Sequence, residues 1–221
     1  MSRDADHLRQ MLVRATEALF GAGVMQFSGH GNLSARLDGD RMLLTTKGVI
    51  RGLTVDDFAV VSLDGELLEG AMDPASREII GMHTGVYRSR EDARSVIHTH
   101  SPYATTFALA HEPLPCTYEA LLRHGVAGDI PVAGWAPRGS EASVSNIVAQ
   151  IEQHPDVPAV LLANHGLLAF GRDPLQAAGF VVAVEEAALL TLQARALGGA
   201  KPLPPGALDR EREHMRAHGS L

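Results

Sequence analysis

The feature that most constrains the fold is a pair of apolar, strand-like runs that each end in histidine. The first, RSVIHTHSPYA, passes from two β-branched apolar residues into His98 and His100. Side chains at positions i and i+2 of a strand point to the same face, so these two imidazoles are expected to project together. The second run, AVLLANHGLLAF, reaches His165, and Gly166 after it lets the backbone turn sharply. If the two strands are neighbours, three imidazoles meet at one edge of a sheet.

Three imidazoles with one open coordination position are typical of a catalytic zinc site, whereas a structural zinc site is closed by four ligands. The chain has a single cysteine, Cys116, so a structural zinc site is not expected. The alternative interpretation is that the histidines are ordinary polar residues at strand ends. A single cysteine also forms no internal disulfide, which favours a reducing, cytoplasmic compartment.

Composition excludes several classes of protein. With 221 residues the chain is expected to form one domain with a sufficient core. A formal net charge of −7 argues against a nucleic-acid or anionic-membrane partner. The N-terminal stretch MSRDADHLRQ is polar, unlike a signal peptide. We find no apolar run that approaches the roughly 20 residues of a membrane helix.

The remaining patterns predict an α/β sandwich with a largely antiparallel or mixed sheet, since strands and helices mix without strict alternation. Strands are expected in RMLLTT, in FAVVSLDGELLEG with an Asp64-Gly65 turn, in RSVIHTH, and on both sides of Asn164-His165-Gly166. Helices are expected at residues 8–19, from near Pro74, in PYATTFALA, after a Ser140 cap, and from Asp173-Pro174 to Gly198-Gly199. Residues 200–221 are Pro-rich and then charged, and we expect a mobile tail.

Five motifs in this order resemble the class II aldolase/adducin family: GNLSAR, LLTTKG, PASRE, VIHTHSPYATTFALA and LLANHGLLAFGRD. That family includes fuculose-1-phosphate aldolase and ribulose-phosphate 4-epimerase. The resemblance covers roughly residues 5–198, so residues 1–199 are assigned to one domain of this type. It implies a three-layer α/β/α sandwich with a mainly antiparallel central sheet, and a homotetramer. It also implies that His98, His100 and His165 bind Zn²⁺, with Mn²⁺ or Co²⁺ as alternatives, and that Glu78 is the catalytic acid and base.

The resemblance implies a metal-dependent lyase that reversibly cleaves a sugar phosphate of the fuculose or ribulose 1-phosphate type. The products are dihydroxyacetone phosphate and an aldehyde. In this scheme the metal ion polarises the carbonyl and stabilises an enediolate, while a carboxylate moves the proton. Tyr118 is the candidate for a tyrosine that family members usually supply from a neighbouring subunit, although it also fits a half-buried interface residue.

The anionic group of the substrate is expected to lie among backbone amides and small hydroxyl groups. The loop Gly29-His30-Gly31-Asn32 offers such amides, because glycine lets a backbone approach an anion closely. Ser76 adds a hydroxyl group and a helix N-terminus. Lys47-Gly48 completes the pocket, and Lys47 is one of only two lysines among 19 basic residues. A compact charge on phosphate or carboxylate is the preferred role of Lys47, against a solvated surface lysine or a Schiff-base nucleophile.

The chain departs from the family pattern in ways that keep other functions open. Glu78 precedes His83 by five positions, whereas the sugar-phosphate aldolases usually place the glutamate one position closer. Lys47 stands where those aldolases tend to carry a small hydroxyl residue, and Arg77 is a further cation beside the site. These changes fit a smaller or differently charged anion, so a decarboxylase of a hydroxy acid is an alternative. A non-catalytic, adducin-like interaction module is the alternative from another class.

Overall fold

A computed structural model describes residues 3–38 and 40–218 of the chain. Within these residues, one eight-stranded sheet has the order β4-β3-β2-β1-β5-β8-β7-β6. The strands are β1 (Gly31–Leu37), β2 (Arg41–Thr45), β3 (Phe58–Ser62), β4 (Leu67–Glu69), β5 (Ser95–Thr99), β6 (Val132–Ala133), β7 (Ala159–Leu162) and β8 (Gly166–Gly171). Only the β6–β7 pair is parallel among the pairings described, which confirms the mainly antiparallel sheet.

Helices cover both faces of the sheet. They are α1 (Arg3–Gly21), a 3₁₀ helix (Pro74–Ile79), α2 (Ile80–Ser89), α3 (Pro102–Ala110), α4 (Glu119–Arg123), α5 (Glu141–Gln153), α6 (Pro174–Arg195) and α7 (Ala207–Ala217). One core joins α1, α3 and α6 to the sheet and the other joins α2 and α5 to its opposite face. Val96 and Ile97 are neighbours in β5 and belong to different cores, as strand geometry requires. The three-layer α/β/α prediction is therefore confirmed.

Strand pairing brings three chain segments to one edge of the sheet. The end of β5 lies beside the start of β8, because Thr99 pairs with Leu167 in antiparallel register. The start of β1 lies on the other side of β5, because Gly31 pairs with Thr99. Residues just beyond these strand ends therefore gather in one place, as the histidine pattern predicts.

Helix α6 is the central helix of one core. Asp173 caps its first turn by accepting hydrogen bonds from the amides of Leu175 and Gln176 at 2.9 and 2.8 Å. By length and composition α6 could span a membrane, but 56% of its most apolar stretch is buried inside the fold. Glu185 and Glu186 interrupt the apolar run, so the sequence shows no continuous apolar stretch of that length.

Two predicted segments differ in detail from the structure. The helix expected from Pro74 is a 3₁₀ helix followed by α2, so the first turn has tighter geometry than expected. The C-terminal segment, expected to be a mobile tail, contains α7, and Glu211 in it lies 3.2 Å from Arg123 of α4. Residues 219–221 of that tail lie outside the described residues.

Glu185 fixes the start of α3, the helix that follows His98 and His100 in the chain. Its side chain is 5% exposed, and its two carboxylate oxygens accept hydrogen bonds from the amides of Tyr103 and Ala104, both at 2.8 Å. Burial raises the pKa of this carboxyl group, although the two amide hydrogen bonds act in the opposite direction. A residue distant in sequence thus satisfies amide groups at the N-terminus of α3.

Replacing Glu185 by alanine removes both acceptors and leaves two amides of α3 without partners. We expect the free energy of unfolding to fall by about 2 kcal/mol, measured by urea denaturation. Glu186→Ala, at the next and exposed position of α6, is the matched control and should change stability by less than about 0.5 kcal/mol. Equal effects of the two substitutions would contradict the capping role.

Candidate metal centre and active-site cavity

His98, His100 and His165 form a compact cluster at the edge of the sheet. Each offers a ring nitrogen, and these nitrogens all lie within 4.8 Å of one another. The Nε2 atoms of His98 and His100 are 3.1 Å apart. The ring centroids of His165 lie 4.6 and 5.0 Å from those of His98 and His100. Among the described residues, this is the one group of histidine, cysteine and carboxylate side chains with such spacing.

The cluster fits a divalent cation by its donor set. Tetrahedral zinc with bonds of about 2.0–2.1 Å places its nitrogen ligands roughly 3.3 Å apart, close to the 3.1 Å between His98 and His100. The Nδ1 atom of His98 lies 2.9 Å from the carbonyl oxygen of Leu167 and donates to it, so Nε2 keeps its lone pair for a metal ion. A cation would fit between the three rings with one position left for substrate.

Burial keeps these histidines neutral, as metal ligands must be. It lowers the pKa of His98 well below the ordinary value, and the neighbouring His165 and His100 lower it further. Burial also lowers the pKa of His100 to about 4, with help from His165, His30 and Arg138. The pKa of His165 is lowered by burial and by Arg138.

Glycine is required where the three strands meet behind the cluster. A Cβ atom on Gly166 would collide with the carbonyl oxygen of Thr99 and lie 3.0 Å from the ring of His100. A Cβ atom on Gly31 would lie 2.7 Å from the carbonyl oxygen of His98. These two glycines allow β8 and β1 to approach the end of β5 closely.

Another histidine, His111, contacts the turn that carries His165. Asn164, directly before His165, has a left-handed backbone with φ 57°, and His111 at the end of α3 has φ 55°. The Nε2 atom of His111 lies 2.7 Å from Oδ1 of Asn164, and the amide of Asn164 donates to the carbonyl oxygen of Ala108. His111 and Asn164 are 53 positions apart in the chain, so only the fold shows that they are in contact.

A cavity of about 550 Å³ opens beside the cluster. Most of the residues predicted for the site line it, namely Gly31, Asn32, Lys47, Gly48, Ser76, Glu78, His98, His100 and His165. Its wall also contains His30 of the predicted loop, together with Trp135 and Arg138, which were not predicted for the site. The motifs that the family resemblance rests on therefore converge on one cavity.

The backbone amides expected to bind an anion are partly engaged within the fold. The amide of Gly31 donates to the carbonyl oxygen of Gly48 at 3.1 Å, and that of Gly29 donates to Gln26. Ser76 is 6% exposed and lies in a 3₁₀ helix of six residues, too short for the helix dipole that was expected to help. Side chains are thus left as the principal donors on this wall.

Both cations in the cavity wall are paired with carboxylates. The Nζ atom of Lys47 lies 2.7 Å from Oδ1 of Asp57. Burial raises the pKa of Asp57, but hydrogen bonds from Lys47 and Thr54 outweigh it and the pKa is lowered overall. Arg138 forms an ion pair with Glu78. Glu78 lines the cavity but lies outside the histidine cluster.

Asn32 is supported by a buried chain of hydrogen bonds. Its Oδ1 atom lies 2.6 Å from Nε2 of His83, and Nδ1 of His83 lies 2.7 Å from Oγ of Ser34. The same Ser34 oxygen lies 2.8 Å from the hydroxyl oxygen of Tyr87. Asn32 itself lines the cavity, so a fully buried histidine supports a residue of the cavity wall.

Two residues predicted for the site do not line the cavity of the single chain. Arg77 is exposed on the 3₁₀ helix. Tyr118 precedes α4, where its hydroxyl group donates to Oε2 of Glu186 at 3.1 Å. A role for Tyr118 in a neighbouring subunit stays a prediction.

Lowered histidine pKa values make the metal-free protein sensitive to acid. Burial lowers the pKa of His83 to about 3 from 6.5, so the unfolded chain binds one more proton than the folded chain between these values. The free energy of unfolding should therefore fall as the pH decreases below 6.5, with His83 contributing up to about 1.4 kcal/mol per pH unit. Urea denaturation in chelator at several pH values measures this slope.

The same measurement on His83→Gln should give a shallower slope by up to about 1.4 kcal/mol per pH unit. At pH 8 neither the folded nor the unfolded chain binds this proton. The titration of His83 then no longer contributes to the difference in free energy of unfolding between the variant and the wild type. An unchanged slope would contradict a neutral, buried His83.

Comparison with known proteins agrees with this geometry. A family model described as Class II Aldolase and Adducin N-terminal domain matches residues 10–192. A 5-deoxy-D-ribulose 1-phosphate aldolase of Bacillus thuringiensis serovar kurstaki is 32% identical over 164 residues, 74% of each chain. A 3-oxo-tetronate 4-phosphate decarboxylase of Haemophilus influenzae is 31% identical over 198 residues, 84% of this chain and 88% of that one.

Among solved structures, an L-fuculose 1-phosphate aldolase matches with a TM-score of 0.83 and 28% identity, covering 98% of both chains. Further relatives are named as a dehydratase and a 4-epimerase. The matches therefore share a fold and a superfamily and differ in reaction. This protein belongs to the Class II Aldolase and Adducin N-terminal domain family, and it is an enzyme of the class II aldolase type.

Proposed function

We propose that this enzyme is a metal-dependent lyase that reversibly cleaves a ketose 1-phosphate to dihydroxyacetone phosphate and an aldehyde. The observation that carries the proposal is the cluster of three neutral histidines that opens into the same cavity as Asn32, Lys47 and Glu78. The names of relatives as aldolases of deoxyribulose and fuculose phosphates support it. The cytoplasmic location and the homotetramer stay predictions.

The three histidines would hold Zn²⁺, or Mn²⁺ or Co²⁺, with the substrate in the open position. When bound, such an ion supplies a Lewis acid that polarises the substrate carbonyl group. The protein contributes a fixed orientation, since His98 is tied to Leu167 and Asn164 before His165 is tied to His111.

The phosphate group would bind to the side chains of Asn32, Ser76 and Lys47 beside Gly31 and Gly48. Lys47 is positioned by Asp57 at 2.7 Å, so a phosphate would share the ammonium group with this carboxylate. An ammonium group with three donors suits such sharing better than a planar guanidinium group. Arg77 would contribute at longer range, from the exposed side of the 3₁₀ helix.

Glu78 would move the proton. In aldol cleavage the C4 hydroxyl group loses a proton as the C3–C4 bond breaks, and C3 of dihydroxyacetone phosphate gains one. A carboxylate that lines the cavity can accept the first proton and return it. Its ion pair with Arg138 holds the Glu78 side chain in the wall of the cavity. In the reverse direction, Tyr118 of a neighbouring subunit would donate a hydrogen bond to the oxygen of the incoming aldehyde, and Glu78 would supply the proton that makes it the C4 hydroxyl group.

Decarboxylation of a phosphorylated hydroxy acid or keto acid is the second candidate, and Arg138 is the observation that favours it. Arg138 lines the same cavity as Lys47, so the site offers two cations for an anionic substrate. A carboxylate is a natural bidentate partner for arginine. The decarboxylase among the relatives supports this alternative.

Product analysis distinguishes the two reactions. The zinc-loaded enzyme is incubated with ribulose 1-phosphate, fuculose 1-phosphate and a 3-oxo-tetronate 4-phosphate. Release of dihydroxyacetone phosphate together with an aldehyde from either ketose 1-phosphate, with the triose phosphate followed by a coupled dehydrogenase, supports aldol cleavage. Decarboxylation of the 3-oxo-tetronate 4-phosphate also leaves dihydroxyacetone phosphate, so CO₂ is the product that identifies it. Release of CO₂ from this acid with no cleavage of either ketose overturns aldol cleavage in favour of decarboxylation.

His100→Ala should abolish both metal binding and catalysis while the chain stays folded. Removing one of three ligands leaves too few nitrogens to hold the ion, so bound zinc after dialysis should fall from one equivalent to less than about 0.1, as expected for a loss of more than tenfold in affinity. Elemental analysis measures zinc, and circular dichroism measures the fold. His7→Ala, on the exposed side of α1, is the control, and a full equivalent of zinc in His100→Ala would refute the ligand assignment.

A further inference from the structure

The hydrogen-bond chain behind Asn32 has a direction that the structure determines. Its four members are Asn32, His83, Ser34 and Tyr87, joined by contacts of 2.6, 2.7 and 2.8 Å. Each is buried, with exposures of 6% for Asn32, 0% for His83 and Ser34, and 1% for Tyr87. In such a buried setting, a hydroxyl or amide hydrogen without an acceptor is costly.

The phenol of Tyr87 sets the direction. Burial raises the pKa of Tyr87, so the phenol keeps its proton. Oγ of Ser34 lies 2.8 Å from the phenol oxygen and is the acceptor available to this proton, so the phenol hydrogen is directed at Ser34. Ser34 then donates to Nδ1 of His83.

The direction continues to the cavity. Burial lowers the pKa of His83 to about 3, so the ring is neutral and has one hydrogen. With Nδ1 accepting from Ser34, that hydrogen is on Nε2 and is donated to Asn32. The group of Asn32 that faces His83 is therefore its carbonyl oxygen. In the opposite arrangement, Ser34 would donate to Tyr87 and the buried phenol hydrogen would lose its acceptor.

We propose that His83 is a positioning residue for Asn32. Through the hydrogen-bond chain from Tyr87 and Ser34, called the relay below, His83 fixes the Asn32 side chain with its NH₂ group towards the cavity. There this group donates to an anionic oxygen of the substrate. The inference rests on the proposed function, in which Asn32 contacts the substrate phosphate. It matters because the amides of Gly29 and Gly31 are engaged within the fold. Asn32 is also the backbone partner of His98, so the donor has a fixed place relative to the histidine cluster.

Binding of inorganic phosphate to the full-length protein, measured by calorimetry, tests the proposal. His83→Met keeps similar volume but cannot donate, so Asn32 is free to rotate and the affinity for phosphate should fall about tenfold. In His83→Gln the carboxamide can donate from the place of Nε2, so the affinity should stay within about threefold of wild type. A folded His83→Met variant with wild-type phosphate affinity overturns the proposal.

Ser34→Ala tests the relay one step further from the cavity. Without the serine hydroxyl group His83 is free to place its hydrogen on Nδ1, and phosphate affinity should fall about threefold to tenfold. Ser95→Ala is the matched control, because Ser95 is equally buried and donates to the backbone carbonyl of Ser34 at 2.8 Å. It should leave phosphate affinity unchanged. Equal losses in the two variants overturn the relay.

Asn32→Ala separates failure of the relay from failure of the proposed anion pocket. If this variant binds phosphate like the wild type, the pocket assignment of the proposed function is wrong. If Asn32→Ala loses phosphate affinity while His83→Met keeps it, only the relay is wrong. Loss in both supports the relay and the pocket together.

One further test uses only the wild-type protein, so its result does not depend on whether a variant folds. With ¹⁵N-labelled histidine, the ring nitrogen shifts at pH 7 report which nitrogen of His83 is protonated. We expect a neutral ring with hydrogen on Nε2. Hydrogen on Nδ1, or a doubly protonated ring, overturns the proposal.

Discussion

The antiparallel pairing of β5 with β8 on one side and β1 on the other is the constraint on which the site depends. It brings the end of one strand beside the beginnings of two others. Three imidazoles and the amide of Asn32 meet there without any long loop. Gly31 and Gly166 keep the backbones close enough, because a Cβ atom at either position would meet a carbonyl oxygen of β5. The reactive groups are thus attached to the most rigid part of the fold.

Sequence patterns predicted the parts of the site that depend on local structure. Histidines at the ends of apolar strands are visible as alternation and composition, and the turn at Gly166 marks the second strand. The structure confirms the α/β/α layers and places His98, His100 and His165 together. Glu78 stands one position further from His83 than in the sugar-phosphate aldolases, and the structure places a 3₁₀ helix before α2 in this segment.

The remaining parts depend on contacts between residues far apart in the chain. Arg138 lies in the loop between β6 and α5, which has no periodic pattern of apolar residues. Its approach to Glu78 depends on how β6 and α5 pack in the fold. His83 lies in a helical segment, and only the fold identifies Asn32 and Ser34 as the groups that it contacts. The amides of Gly29 and Gly31 read as free donors, yet the fold engages both.

The two ion pairs in the cavity wall have a consequence for how charge is managed during turnover. Lys47 with Asp57 and Arg138 with Glu78 are neutralised within the protein. An incoming anion would therefore meet cations that already have carboxylate partners, and it would share Lys47 with Asp57 instead of meeting an unpaired positive charge. Such sharing would favour correctly shaped anions with only modest net attraction, and each cation would keep its counter-ion as the product departs.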